Sequence, residues 1–226
     1  LKYNIILIYI IYILKNKKGN KMSIKKIASV WSPKGGSGKT SVTLNMAYYL
    51  SMGDRKVTVY DYDEQGSTTK FFNNSTTMNF NLIGGEPGED NLPSADTEYI
   101  LIDYPPRHDI LPMGNIIVIP CGSSPADYDA VKDGLRQLLK HGIEAKRFIF
   151  VPFGVSQNKL SSKLIEESFI ELCEIIPGTV VAVRASEPAK MLWHKGVTVF
   201  QNSNKVMEGI RQDYVKLTKT VFGIRK

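Results

Sequence analysis

From residue 25 onward, short runs of β-branched and aliphatic residues alternate with longer stretches whose apolar positions recur every three to four residues. Compact apolar runs mark strands and the longer period marks helices. The pattern predicts strands over 27–31, 56–60, 99–102, 116–119, 148–151 and 179–183. It predicts helices over 40–52, 126–141, 158–175 and 205–221. Their inward stripes are Val42, Met46, Tyr49 and Leu50, then Leu160, Leu164, Phe169 and Leu172, then Val206, Ile210, Tyr214, Leu217 and Val221. Gly142 is placed as a helix C-cap, and Pro177-Gly178 stops the 158–175 helix. The stretch 67–96 is polar and rich in Gly and Pro, and it reads mostly as loop with one short strand at 80–83. Strands apolar throughout, alternating with amphipathic helices, argue for an α/β three-layer sandwich: a mostly parallel, twisted sheet with helices on both faces. No internal repeat is visible, and one domain is expected.

Length and composition agree with that picture. A chain of 226 residues and 25.3 kDa, 42% hydrophobic and 23% charged, is globular rather than disordered, collagen-like or coiled-coil. Its two cysteines, Cys121 and Cys173, have no CxxC spacing, which excludes a disulfide scaffold and a cysteine-built zinc site and suits a reducing, cytoplasmic setting. Residues 1–21 hold an apolar run, 5–14, about half the length needed to span a bilayer. No small-residue cleavage site follows it. They are expected to be a leader outside the folded domain, which spans 22–226 and starts at Met22. The leader also distorts the charge: it carries five lysines and no acid, so the net +7 of the chain falls to +2 without it. Any case for nucleic-acid binding therefore rests on local patches.

The sharpest chemical signal lies between the first strand and the first helix, Pro33-Lys34-Gly35-Gly36-Ser37-Gly38-Lys39-Thr40. Glycines let successive N–H groups turn toward phosphate oxygens, and the following helix adds its positive end. Lys39 reaches the outer phosphates and the Thr40 hydroxyl suits Mg²⁺. The first glycine of the common phosphate-loop pattern is replaced by Pro33, and an extra lysine, Lys34, precedes the glycine pair. This segment resembles the deviant Walker A motif of the ParA/MinD group of P-loop ATPases. The resemblance implies ATP and Mg²⁺ as cofactors, held by Lys34, Gly35, Gly36, Ser37, Gly38, Lys39, Thr40 and Ser41. It implies a nucleotide-dependent homodimer in which Lys34 crosses to the partner's phosphates.

Acidic partners follow in order. The second strand runs into Asp61-Tyr62-Asp63-Glu64-Gln65-Gly66, where carboxylates at a strand's C-terminal end suit metal organisation and water activation. The segment resembles the group's D-x-D-P-Q-G motif, with Glu64 in place of proline. By that resemblance Asp63 positions the attacking water and Asp61 stands in the metal shell. The third strand ends at Asp103, a Walker B-like acid for Mg²⁺, and Tyr104 stands where relatives have threonine. Catalytic roles thus fall to Lys34, Lys39 and Asp63, and metal roles to Thr40, Asp61 and Asp103. The stretch Pro120-Cys121-Gly122-Ser123-Ser124-Pro125-Ala126-Asp127 resembles P-x-x-x-S-P-x-D of short plasmid ParA proteins of the ParF type. Asn45 also matches a family position, against its reading as a locally bonded helix residue. Only nine residues separate Pro106 from Ile116, where relatives place a nucleotide-sensing helix, and His108 there reads as a solvated loop residue.

Beyond residue 180, ten basic residues counting His194 face three acids. Relatives bind DNA non-specifically through this region, and Arg184, Lys190, Lys195 and Lys205 are the expected patch. The resemblance implies a DNA-segregation (partition) ATPase, cytoplasmic and nucleoid-associated, that pairs on ATP, binds DNA and is released when a ParB-like adaptor stimulates hydrolysis. Two alternatives remain at this point. One is a MinD-like ATPase that cycles on a membrane through its terminal helix, against which the apolar stripe of that helix argues because it suits covering a sheet. The other is a metabolic or non-hydrolysing member of the same superfamily.

Overall fold

The computed structural model describes residues 26–88, 90–156 and 158–224. The expected leader and Met22 lie outside the described residues. Eight strands follow in chain order: β1 (Lys26–Val30), β2 (Val57–Asp61), β3 (Asn81–Gly84), β4 (Tyr99–Asp103), β5 (Ile116–Cys121), β6 (Phe148–Val155), β7 (Gly178–Val180) and β8 (Val183–Arg184). They form one sheet in the order β3-β2-β4-β1-β5-β6-β7, with β8 beside β6, and every pairing is parallel. The helices are α1 (Lys39–Ser51), α2 (Ser67–Asn74), α3 (Pro125–Lys140), α4 (Leu160–Ile175), α5 (Glu187–Leu192) and α6 (Glu208–Phe222).

Alternate residues of each central strand feed two separate cores, as a period of two requires. Ala28, Val30, Val59 and Leu101 point to one face, where α1 and α6 cover them; Ile27, Tyr60, Ile102 and Ile119 point to the other, under α3 and α4. The α1 helix is buried almost all round, with Val42, Thr43, Leu44, Asn45, Met46, Ala47 and Leu50 inside. Asn45 is a structural staple here: its amide donates to the Ser41 carbonyl at 2.8 Å, and its oxygen accepts from the Val199 N–H at 3.0 Å.

Several elements depart from the pattern of the sequence, each for a local reason. The 67–96 stretch contains helix α2 as well as strand β3. The expected strand over 179–183 is split into β7, which pairs with 148–150 of β6, and β8, which pairs with Phe153 and, after an irregularity in β6, with Val155. Helix α4 turns its Ser162, Ile165 and Phe169 inward, leaving Leu160 and Leu164 72% and 51% exposed. Ser162 sets that phase by accepting the Ser156 N–H with its hydroxyl at 3.1 Å. The last helix is preceded by a 3₁₀ turn capped by Asn204, which accepts the Val206 N–H at 3.0 Å and leaves Val206 outside; Ile210, Tyr214, Leu217 and Val221 are buried as expected.

The short link from β4 to β5 contains no helix. It is packed instead: Tyr104 is fully buried, its hydroxyl accepts the Met113 N–H at 2.9 Å, and Arg107 pairs with Asp109 at 2.6 Å. Helix α3 comes unusually close to the loop after β1 at Gly134, where a Cβ would stand 2.7 Å from Trp31 Cη2 and 3.2 Å from Pro33 Cγ. Trp31 is only 1% exposed and has no room to yield. Gly134→Ala should therefore destabilise the fold by about 1–3 kcal/mol, the usual result of overpacking. A melting curve indistinguishable from that of the unsubstituted chain would contradict this account of the α3 contact.

Candidate functional site

Parallel register gathers the chemistry. On β4, Asp103 stands level with Val30 of β1 on one side and with Asp61 of β2 on the other. The loop that leaves β1 thus rises from the same sheet edge as both carboxylates, at the C-terminal ends of the strands where open α/β sheets bind ligands.

The loop itself has the shape the glycines promised. Gly36 and Gly38 have φ of +74° and +97°, in the left-handed region that glycine alone occupies freely, and Gly38 is the residue before α1. No atom lies within 4 Å of the point where a Cβ would stand on Gly35 or Gly36, so the concave side is open. A hollow of about 330 Å³ lies over residues 35–41, walled by Asp63, Gln65, Pro106, Phe153 and Trp193. Lys39 is 7% exposed and donates to the Lys34 carbonyl at 3.0 Å, closing the loop on itself. Burial lowers the pKa of Lys39, while the charges of Asp103 and Asp63 pull it back.

Lys34 sits at the exposed lip of the loop. Its ammonium pairs with Asp127 in the first turn of α3. Asp127 divides its work: one carboxylate oxygen takes Lys34 and the other accepts the Ser124 N–H at 3.3 Å, while Ser124 caps the helix by accepting the Asp127 N–H at 3.2 Å. Burial opposes the Asp127 charge, but the hydrogen bonds from Lys34 and Ser124 hold its carboxyl below the usual range.

The two metal candidates are deeply placed, Asp61 at 3% and Asp103 at 1% exposure. The Thr69 N–H and hydroxyl donate to Asp61 Oδ2 at 2.7 and 2.6 Å, and the Thr68 hydroxyl donates to Asp103 Oδ2 at 2.7 Å. In each carboxylate the second oxygen, Oδ1, is buried without a hydrogen-bond partner. Buried polar atoms are rarely left so, and an orphaned oxygen on both acids, with the Thr40 hydroxyl beside Asp103, fits a divalent cation. Among the described residues no group of three or more His, Cys, Asp or Glu side chains could hold a metal. Mg²⁺ keeps several waters and takes one or two carboxylates together with phosphate oxygens. Burial raises the Asp103 carboxyl to about 7, against the Thr68 and Thr40 hydroxyls, which lower it.

Asp63 lies beyond the end of β2, in a turn closed by the Gly66 N–H on the Asp63 carbonyl at 2.8 Å and by the Gln65 N–H on Asp63 Oδ1 at 3.0 Å. The turn is therefore tied without the proline that Glu64 replaces. Asp63 faces the phosphate hollow, and a second, acidic hollow opens behind it between Asp61 and Glu86.

The expected basic patch is only partly free. Arg184 lies in a two-pronged pair with Asp213 of α6, at 2.7 and 2.9 Å, and Lys190 pairs with Glu187 at 2.6 Å. Lys195 and Lys205 are exposed and have no ion partner among the described residues. Arg184 and Lys190 also wall a separate cavity of about 300 Å³ between α1 and α6, with Phe153, Trp193 and Tyr214. Phe153 and Trp193 border both this cavity and the phosphate hollow. The resemblance already implied that the strand end Val151-Pro152-Phe153 lies near the nucleotide; Trp193 had no signal of its own in the sequence, and only the fold brings it to the loop.

A glycine-rich loop feeding a helix, with buried acids on the adjacent strands of a parallel sheet, defines a P-loop nucleotide-binding protein. Residues 28–186 match the family model described as CobQ/CobB/MinD/ParA nucleotide binding domain, and the chain belongs to that family. The fold is shared with solved structures at low identity. A Cyanothece McdA–ATP complex superposes with a TM-score of 0.68 at 15% identity, over 90% of this chain and 98% of that one. A putative plasmid partition protein from Borrelia burgdorferi bound to AMPPNP gives 0.64 at 16%, over 87% and 99%. The MinC:MinD complex of Aquifex aeolicus gives 0.66 at 12%, over 89% and 99%. No curated protein matches the chain significantly by sequence.

The state of Asp103 gives this site a pH dependence. With its pKa near 7, the cation-free carboxyl is protonated below that pH, and a divalent cation must displace the proton to bind. Mg²⁺ affinity, measured with a phosphate ligand in place, should rise with pH up to about 7 by at most tenfold per unit and then level off. A flat profile from about pH 5.5 to 8 would show that Asp103 does not take up the cation.

Proposed function

We propose that this chain is a partition-type ATPase that binds ATP with Mg²⁺, pairs with a second copy around the nucleotides, and in that state holds DNA non-specifically. Hydrolysis, stimulated by a ParB-like adaptor, ends the paired state. The observation that carries the reading is the position of Lys34. It stands at the open lip of the phosphate loop rather than inside it, and among the described residues its ammonium pairs with the Asp127 carboxylate of its own chain. Its side chain is 44% exposed, and exposed pairs of this kind are worth about 1 kcal/mol or less. A partner's triphosphate, with several negative charges, outbids one surface carboxylate for that ammonium. Lys34 is then a cation lent to the neighbouring site, where it offsets charge that builds up in phosphoryl transfer.

The other roles follow from the same geometry. Lys39 and the N–H groups of residues 35–40 take the phosphates of the chain's own nucleotide. Thr40, Asp61 and Asp103 would hold Mg²⁺, which would supply positive charge to offset that of the phosphates. Asp63, facing the hollow from a tied turn, orients the attacking water. The nucleobase suits the apolar cavity beside Ser41, where Phe153 and Trp193 offer flat faces.

DNA contact is assigned chiefly to Lys195 and Lys205, which no acid engages, with Lys190 as a weakly held third and Arg184 as an anchor for α6. The membrane alternative has less support: the stripe Ile210, Tyr214, Leu217 and Val221 is buried against the sheet rather than presented to solvent.

Two measurements test the reading. Lys34→Ala should bind ATP yet fail to pair, and Asp63→Ala should pair but lose turnover, as read by sedimentation and phosphate release. Unaltered ATP-dependent sedimentation of Lys34→Ala sinks the cross-interface role. A salt-titrated DNA-binding assay with ATP, ADP and no nucleotide should show binding with ATP, insensitive to sequence. Lys195→Ala and Lys205→Ala should each lower the salt slope by about 1. Binding that is equal in all three nucleotide states contradicts the proposal.

A further inference from the structure

Helix α2 begins immediately after the Asp63 turn, and its first turn is spent on the two metal carboxylates. The Thr68 hydroxyl holds Asp103 Oδ2, while the Thr69 hydroxyl and N–H together hold Asp61 Oδ2. Each bond fixes a carboxylate plane and so aims the other oxygen, the one left without a protein partner. The far end of the same helix is fastened to the basic segment. The Phe71 ring lies 5.0 Å from that of Trp193. Gly196, with φ of +59°, approaches the Asn74 backbone so closely that a Cβ would stand 2.6 Å from its carbonyl carbon. The Gln201 amide donates to the Thr77 hydroxyl at 2.8 Å and to its carbonyl at 3.2 Å.

We propose that Thr68 and Thr69 are positioning residues for the metal site, and that α2 carries the state of that site to the turn Trp193–Lys195. The inference rests on the nucleotide and Mg²⁺ reading given above. A cation drawing the free oxygens of Asp61 and Asp103 inward pulls the threonines with them. The helix has only two turns, so a shift at Thr68 is felt at Phe71, one turn on. Trp193 moves against Phe71, and with it Lys195, a cation that no acid engages. The other route from the site, the β4–β5 link, is pinned by Tyr104 and by Arg147, which donates to the Gly114 and Asn115 carbonyls. That leaves α2 as the element with one end on the metal acids and the other on the basic segment.

The test measures binding of AMPPNP to the full chain by calorimetry, with Mg²⁺ and with EDTA. Outer-shell partners of metal ligands are typically worth ten- to a hundred-fold in metal affinity. Thr68→Val and Thr69→Val should each cut the gain from Mg²⁺ by about that factor, leave the EDTA affinity unchanged, and be rescued by Thr68→Ser and Thr69→Ser. A hydroxyl that served stability alone would lower the melting temperature without touching the Mg²⁺ gain. Emission from Trp193, assigned with a Trp193→Phe control, should change when Mg²⁺ joins the AMPPNP complex. Phe71→Leu, measured with ligand at concentrations that saturate the variant itself, should abolish that change. Hydrogen exchange over 191–197 in the unsubstituted chain reads the same coupling without a substitution, and should differ between the two AMPPNP complexes. A full Mg²⁺ gain in both valine variants overturns the positioning role. An undiminished Trp193 response in Phe71→Leu, or exchange that ignores Mg²⁺, overturns the transmission. If the unsubstituted chain binds no AMPPNP at all, the nucleotide reading itself falls, and this inference with it.

Discussion

Asp61 and Asp103 stand opposite each other on adjacent parallel strands, both nearly inaccessible to solvent. Two carboxylates so placed repel one another and lose their hydration, a cost of several kcal/mol per ion unless the protein or a ligand offsets it. Much of the surrounding architecture answers that cost. Thr68 and Thr69 give each acid one hydroxyl, Lys39 brings a buried positive charge, and the remaining oxygens are left for a cation. The arrangement is incomplete without a ligand, which is a property of a binding site rather than of a core. Lys39 shares in this: its burial is offset by the charges of Asp103 and Asp63.

The sheet is what holds these expensive groups together. Parallel pairing places residues on neighbouring strands level with each other at fixed spacing, so three sequence-distant points, Val30, Asp61 and Asp103, meet at one edge. Around that edge the chain keeps three kinds of surface. The phosphate loop is open and glycine-lined, the cavity beside it is aromatic, and Lys34 sits on the outer rim in a pair weak enough to exchange. The two hollows are contiguous, sharing Ser41, Phe153 and Trp193 as walls, while Lys34 stands apart from both.

The reading of the chain's organisation from sequence went furthest where a single local rule governed. Continuous apolar runs gave the central strands, and the spacing of Gly36, Gly38, Lys39 and Thr40 gave the phosphate loop, because backbone conformation there depends on which residues tolerate positive φ. It went less far in the 67–96 stretch, where Ser, Thr and Asn suit a helix end and a loop equally and α2 is stabilised mainly by what it touches. In α4 the apolar spacing placed Phe169 and Leu172 against the core correctly, but Leu160 and Leu164 stand exposed while Ser162 and Ile165 turn inward. Asn45 proved to be a staple between α1 and Val199, a role that no local pattern distinguishes from a ligand contact. Arg184 looked like a surface cation until α6 supplied Asp213.

By itself the sequence determined the α/β class, the order of the motifs and the identity of the phosphate loop with its acids, since periodicity, glycine and charge are properties of neighbours along the chain. Only the tertiary structure decided that Lys34 rests on Asp127, that Thr68 and Thr69 engage the acids, that Trp193 walls the loop, and which lysines of the C-terminal third stand free. Those are pairings between residues far apart in sequence, and no amino-acid pattern encodes a distance until parallel register and helix packing have set it.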